Sequence, residues 1–156
     1  MRGARLAAVG LALALVVPTV AHAVTYGDAV YEPSVTHPEV VPVWVGRTGM
    51  CSGTLIDQQV VLTAAHCVYG YKDFQIEVGG DMLETGDRIS VNASWYHPRF
   101  DERRLRNDIA LLHLSRPADV SRLGVLDPAV RVGTQTVMTI AGWGRDQNDE
   151  ITDELH

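Results

Sequence analysis

The rhythm of its apolar residues is what most limits how this chain can fold. From Val40 onward, short runs rich in valine, isoleucine and leucine recur, each cut off by turn-forming residues. No stretch carries a long 3.6-residue period. Such a pattern specifies an all-β fold. Residues 40–46, 50–56, 60–63, 74–78, 88–95 and 109–114 read as strands. Pro42 has no N–H to give to a ladder, so it predicts an edge or a bulge. Residues 74–78 alternate as a half-buried strand that ends at Gly79-Gly80, whereas 109–114 is apolar nearly throughout and reads as buried on both faces. Strands at this spacing predict a small closed barrel. Residues 64–68 read as a single helical turn. Residues 115–132, punctuated by Pro117, Gly124 and Pro128, read as a connection. Residues 137–141 read as a further strand, closed by Gly142-Trp143-Gly144. With no partner strand after it, it is expected to open a second sheet.

The first residues predict a different fate. Arg2 and Arg5 precede an apolar run from Leu6 to Val17 broken only by Gly10, and Pro18 leads to Ala21-His22-Ala23. A charged start, an apolar middle and a small-residue end make a secretory signal peptide over residues 1–23. The apolar run is shorter than the roughly 20 residues a membrane-spanning helix needs. Cleavage after Ala23 would make Val24 the mature amino terminus; cleavage after Ala21 would leave His22-Ala23 as a tiny pro-segment. No second long apolar stretch follows, so the expectation is a secreted, extracellular chain that leaves the membrane behind. The sequence has 13 Lys and Arg against 19 Asp and Glu, a net charge of −6, and signal cleavage removes two of those arginines. An acidic chain gains nothing from the counterion release that drives nucleic-acid binding, which excludes nucleic-acid partners. A composition that is 46% hydrophobic and 21% charged also excludes disorder over the whole length.

Cys51 and Cys67 are the two cysteines of the chain. In an exported protein a disulfide is the default. Closing a loop of about 16 residues stabilises by roughly 3 kcal/mol in the chain-entropy picture. A metal site would need more ligands at close spacing than the sequence offers, and no acidic cluster argues for calcium, so no metal or cofactor is expected.

Chemistry concentrates in Val61-Leu62-Thr63-Ala64-Ala65-His66-Cys67. A histidine next to a disulfide cysteine is held by a covalent staple, and imidazole starts near the pKa a general base needs. Such a ring requires a partner on its second nitrogen, and a buried aspartate supplies one. Asp108, in Asn107-Asp108-Ile109-Ala110-Leu111-Leu112, stands at the start of a very apolar strand, where a carboxylate without donors would be costly. The histidine segment resembles the histidine motif of the trypsin-like serine proteases. Cys51-Ser52-Gly53-Thr54-Leu55-Ile56 resembles their strand whose cysteine bridges to the one beside that histidine. Asn107–Leu112 resembles their aspartate motif, and Ala141-Gly142-Trp143-Gly144 their Gly-Trp-Gly at the start of the second barrel. Val24-Thr25-Tyr26-Gly27 matches the family's mature start weakly, in its first apolar residue and one glycine.

The resemblance implies catalytic roles for His66 and Asp108 and a Cys51–Cys67 disulfide. It implies the first six-stranded antiparallel barrel of a two-barrel fold, with only the start of the second. The expected organisation is a signal peptide over 1–23, a barrel over 24–114, a connection over 115–136 and the start of a second barrel over 137–156. It further implies a monomer acting on protein or peptide substrates.

The family's nucleophile sits in Gly-Asp-Ser-Gly-Gly, which this sequence lacks. Ser34, Ser52, Ser90, Ser94, Ser115 and Ser121 are the serines present, and none has a glycine on both sides or an aspartate just before it. The expectation is therefore a secreted serine endopeptidase in complete form, with this chain inactive alone. Its exposed half-cleft and unpaired last strand are expected to make it poorly soluble. The alternatives are a non-catalytic binding module and a purely structural component. Five further features read as non-catalytic. His97 and Trp143 read as packing residues, and His113 as structural. The sequon Asn92-Ala93-Ser94 falls within a strand, and Asp101-Glu102-Arg103-Arg104 reads as a solvated loop.

Overall fold

A computed structural model describes residues 28–144 and 151–156. The expected signal peptide and the Val24 amino terminus lie outside the described residues.

Six strands, β1 (Val40–Val45), β2 (Gly49–Asp57), β3 (Val60–Thr63), β4 (Phe74–Val78), β5 (Asp87–Tyr96) and β6 (Ala110–Leu114), close into a barrel in the order β1-β2-β3-β6-β5-β4. Every neighbouring pair is antiparallel. All the strands anticipated from residues 40 to 114 form, with ends shifted by a residue or so. The interior is filled by alternate side chains, among them Val41, Val43, Leu55, Val61, Ile76, Ile89, Leu112 and Leu114, all essentially without solvent contact. Gly53 is buried between two of them. A Cβ there would stand 2.4 Å from Val61 Cγ1 and 3.0 Å from Val43 Cγ2, so glycine is what lets the valines of β1 and β3 meet across β2.

Pro42 lies on no bulge, and although β1 has neighbours on both sides, Pro42 itself is paired only with Ser52 of β2 and so sits on a locally open side, as an edge position would. The pairing of β1 with β4 runs over Val43–Val45 and stops at Pro42, which has no N–H to continue it. The register breaks fall elsewhere, at Ile56 in β2 and at Asn92 in β5, both exposed. β6 is not buried on both faces as its composition suggested. Ala110, Leu112 and Leu114 point into the barrel, Leu111 is exposed and His113 half-buried. A barrel has only one dry side, and the apolar outer face of β6 lies bare beside Trp95 and Tyr96 of β5.

The expected turn at 64–68 forms as a single 3-10 turn over Ala65–Cys67. A short helix, α1 (Pro33–Thr36), was not anticipated. It begins on a proline that presets its φ, and Ser34 N–H donates to Asp81 Oδ1 at 3.0 Å. Residues 115–142 form a connection without regular structure. The strand expected at 137–141 does not form, and Val137, Met138 and Ile140 are exposed. Strand-forming side chains do not make a strand without a neighbour for the ladder, and none lies beside them among the described residues.

Trp143 is a packing residue, as expected. It is buried against Leu83 and Leu155 in a second apolar cluster on the outside of the barrel. Its indole N–H donates to Val40 O at 3.2 Å, and Ser52 Oγ bridges the Trp143 main-chain N–H and C=O at 2.7 Å each. Residues 151–156 complete this cluster by main-chain bonds to Val30, Leu83 and Gly142.

Candidate functional site

His66 and Asp108 are 42 residues apart in sequence and meet because β3 and β6 are paired. The antiparallel register sets Thr63, the last residue of β3, opposite Ala110, the first of β6. His66 lies just past one strand end and Asp108 just before the other, so both project from the same end of the same strand pair. His66 Nδ1 stands 2.7 Å from Asp108 Oδ2, and the His66 main-chain N–H donates to Asp108 Oδ1 at 2.8 Å. An ionised carboxylate can only accept, so Nδ1 carries a proton, and in the neutral ring the lone pair is left on Nε2.

The imidazole is 35% exposed and the carboxylate 19%. Burial by itself would raise the Asp108 pKa. The hydrogen bonds from the His66 ring and main chain, the His66 charge and the Ala65 N–H outweigh it, and the carboxyl is held below its ordinary value.

Three supports fix the pair. The Cys51–Cys67 disulfide forms, tying the 3-10 turn to β2 with Cα atoms 6.3 Å apart. Thr63 Oγ1 donates to Ser52 O at 2.9 Å, fixing β3 to β2 just before the histidine. Asn107 holds the aspartate side. It takes a left-handed conformation (φ 55°), its Nδ2 donates to Arg99 O at 2.7 Å, and its carbonyl accepts from Ile109 N–H at 2.9 Å. Asparagine tolerates that conformation better than most residues. In the sequence, the position of Asn107 immediately before the motif's aspartate is the signal that marks it.

One flank of the site is aromatic. Tyr69, in the chain just after His66, meets Tyr96 and Phe100 edge-on at centroid separations of 5.4 and 5.7 Å. Sequence alone gives no sign of this cluster, because Tyr69 is distant in the chain from Tyr96 and Phe100. His97 Nδ1 accepts from Arg99 N–H at 3.1 Å, a local turn contact. The run from Asp101 to Arg104 is a turn in which Asp101 Oδ1 accepts from the Arg103 and Arg104 N–H groups. Ser52 is committed to Trp143 and takes no part in the pair. Among the described residues, the His66 ring meets Asp108 Oδ2 and Cys67 Sγ and no serine hydroxyl.

The sequence offered no close-spaced set of metal ligands, yet folding makes one. His66, Cys51 and Cys67 bring their ligand atoms within 4.8 Å of one another. With the two sulfurs bonded to each other, no thiolate is available there.

A closed antiparallel barrel carrying a hydrogen-bonded histidine–aspartate pair at one end, stapled by a disulfide, is the class of protein this arrangement defines. The family described as trypsin matches residues 27–156, and the chain belongs to it. It is 33% identical over 116 residues to a trypsin of Sarcophaga bullata, covering 69% of this chain and 45% of that protein. It is 30% identical over 124 residues to human kallikrein-7, covering 75% and 47%. With mouse vitamin K-dependent protein C it shares 35% identity over 116 residues, covering 66% and 25%. The chain thus spans less than half the length of these relatives. Among solved structures, a scabies mite inactivated protease paralogue superposes with a TM-score of 0.71 at 22% identity, covering 78% of this chain and 56% of that one, a likeness of fold.

Proposed function

We propose that His66 and Asp108 are the proton-handling pair of a secreted serine endopeptidase whose nucleophile lies outside these 156 residues. The observation that carries this reading is the double contact between the two residues, ring to carboxylate at 2.7 Å and main chain to carboxylate at 2.8 Å, in a trypsin-family barrel. In the whole protein, His66 Nε2 would take the proton of an attacking serine hydroxyl as the acyl-enzyme forms. It would then pass that proton to the leaving amine. Asp108 would keep the other proton on Nδ1 and steady the imidazolium formed in between. Residues 1–23 would direct export, and residues 115–156 would lead from the first barrel into a second.

The pair cannot cleave peptides by itself. Attack needs a nucleophile, and charge stabilisation needs donors around the oxyanion. The 156-residue chain is therefore expected to show no peptidase turnover that depends on His66. The test is to purify the secreted protein from its native source, map both ends by mass spectrometry, and label it with a serine-directed fluorophosphonate. A species longer than this chain, labelled by the probe and active on a protein substrate, is the expected result. A species ending at His156 that takes no label would overturn the proposal in favour of a binding module.

A further inference from the structure

We infer that, once the Cys51–Cys67 bond is reduced, this chain holds a thiophilic divalent cation, with zinc the fitting example, through Cys51 Sγ, Cys67 Sγ and His66 Nε2. The ligand atoms already lie within 4.8 Å of one another. His66 Nε2 is 3.4 Å from Cys67 Sγ. Tetrahedral zinc with bonds of about 2.3 Å to sulfur and 2.0 Å to nitrogen sets sulfur and nitrogen about 3.5 Å apart. That separation matches the one present before any metal arrives. The two thiolates must stand about 3.8 Å apart around the same ion. Rotation about each Cα–Cβ bond supplies that once the sulfurs are released, with the Cα atoms 6.3 Å apart.

The second observation is the outer contact of the histidine. A metal-bound imidazole usually gives its other N–H to a carboxylate, which fixes the tautomer and strengthens the ligand. His66 already does this, with Nδ1 at 2.7 Å from Asp108 Oδ2. In its neutral form the ring therefore presents the Nε2 lone pair toward the sulfurs. Cys67 is buried and Cys51 half-buried, so the cation would be shielded on the barrel side, with its fourth position left to water on the open side of the imidazole.

The chemistry balances. A dithiol reductant gives two electrons and two protons to the disulfide and is itself oxidised to a disulfide. Binding of a divalent ion then releases both thiol protons to solvent and leaves a neutral two-thiolate, one-imidazole site. The ion would occupy the lone pair that a general base needs, and re-oxidation would eject it. Oxidation state would thus decide whether His66 holds a proton or a metal.

The test titrates cobalt(II) into the full chain, oxidised and phosphine-reduced, and follows thiolate-to-cobalt charge-transfer absorption with the far-ultraviolet β signal. The expected result is one equivalent bound by the reduced chain and none by the oxidised chain, with zinc displacing cobalt. His66→Ala should weaken binding by at least tenfold, and Asp108→Asn, which keeps the three ligand residues but turns the imidazole toward its Nε2–H form, by 10–100-fold, in the range such outer partners command. Three results would each overturn the proposal. One is no charge-transfer band on reduction. Another is the same affinity in wild type and both variants, as two thiols in an unfolded chain would give. The third is a β signal lost on reduction that cobalt does not restore.

Discussion

Replacing Asp108 by asparagine changes one atom and reverses the logic of the pair. The carboxylate accepts two N–H groups of His66, from the ring at 2.7 Å and the main chain at 2.8 Å. An asparagine keeps one oxygen to accept from the main-chain N–H. Its NH2 then faces Nδ1, and two donors cannot share a contact, so Nδ1 must give up its proton and Nε2 must take it. The lost ring contact is charge-assisted, a kind worth about 1.5–3 kcal/mol when fully dry. With the imidazole 35% and the carboxylate 19% exposed, screening brings the expected cost toward the lower end, about 1–2 kcal/mol. The assay on this chain is nitrogen-15 NMR of the His66 ring, with urea unfolding in parallel. Wild type should show the Nδ1–H tautomer and the variant the Nε2–H form. In the whole protein the same change should lower kcat by about 10^4-fold, equivalent to about 5.5 kcal/mol of barrier. A variant that keeps the Nδ1–H tautomer and loses less than tenfold in rate would refute this account of the pair.

Because the Asp108 pKa is lowered by folding, its contribution to stability is complete above the ordinary carboxylate range and lost as pH falls through the folded value. The stability gap between wild type and Asp108→Asn, followed by urea unfolding, should accordingly close below about pH 4. Gly53→Ala pushes a methyl into Val61 and Val43 and should destabilise by about 1–3 kcal/mol, read as a lower urea midpoint at unchanged slope. Paired replacement of Cys51 and Cys67 by serine should cost about 3 kcal/mol for a link spanning 16 residues, measured the same way.

The barrel was legible because alternation along a strand is a local property. Val41, Val43 and Val45 point inward for the same reason in any β1, and the turn residues bound it. What depends on neighbours was not legible. Residues 137–141 have the side chains of a strand, but no ladder lies beside them among the described residues. The apolar run at 109–114 looked buried twice over because Ile109 and Leu111 are apolar; nothing local says that the outer face of the barrel there is bare. His66 and Asp108 were recognisable as residue types in motifs, while their meeting rests on the Thr63–Ala110 register, which no spacing along the chain encodes. Ser52 offered a hydroxyl and no hint that it would clamp the main chain of Trp143, 91 residues away.

The closure of β1–β6 has a consequence for how any peptide is held. An extended substrate is commonly gripped by adding itself as a strand to an open sheet edge, main chain to main chain. In this barrel each of the six strands already has a neighbour on both sides, so it has no such edge to lend. Under the proposed function, the barrel would present an imidazole to a scissile bond, while the handhold on the polypeptide running through that bond would have to come from backbone outside β1–β6. Proton transfer and substrate grip would then be divided between separate parts of the protein, and losing the second would leave the first intact and idle.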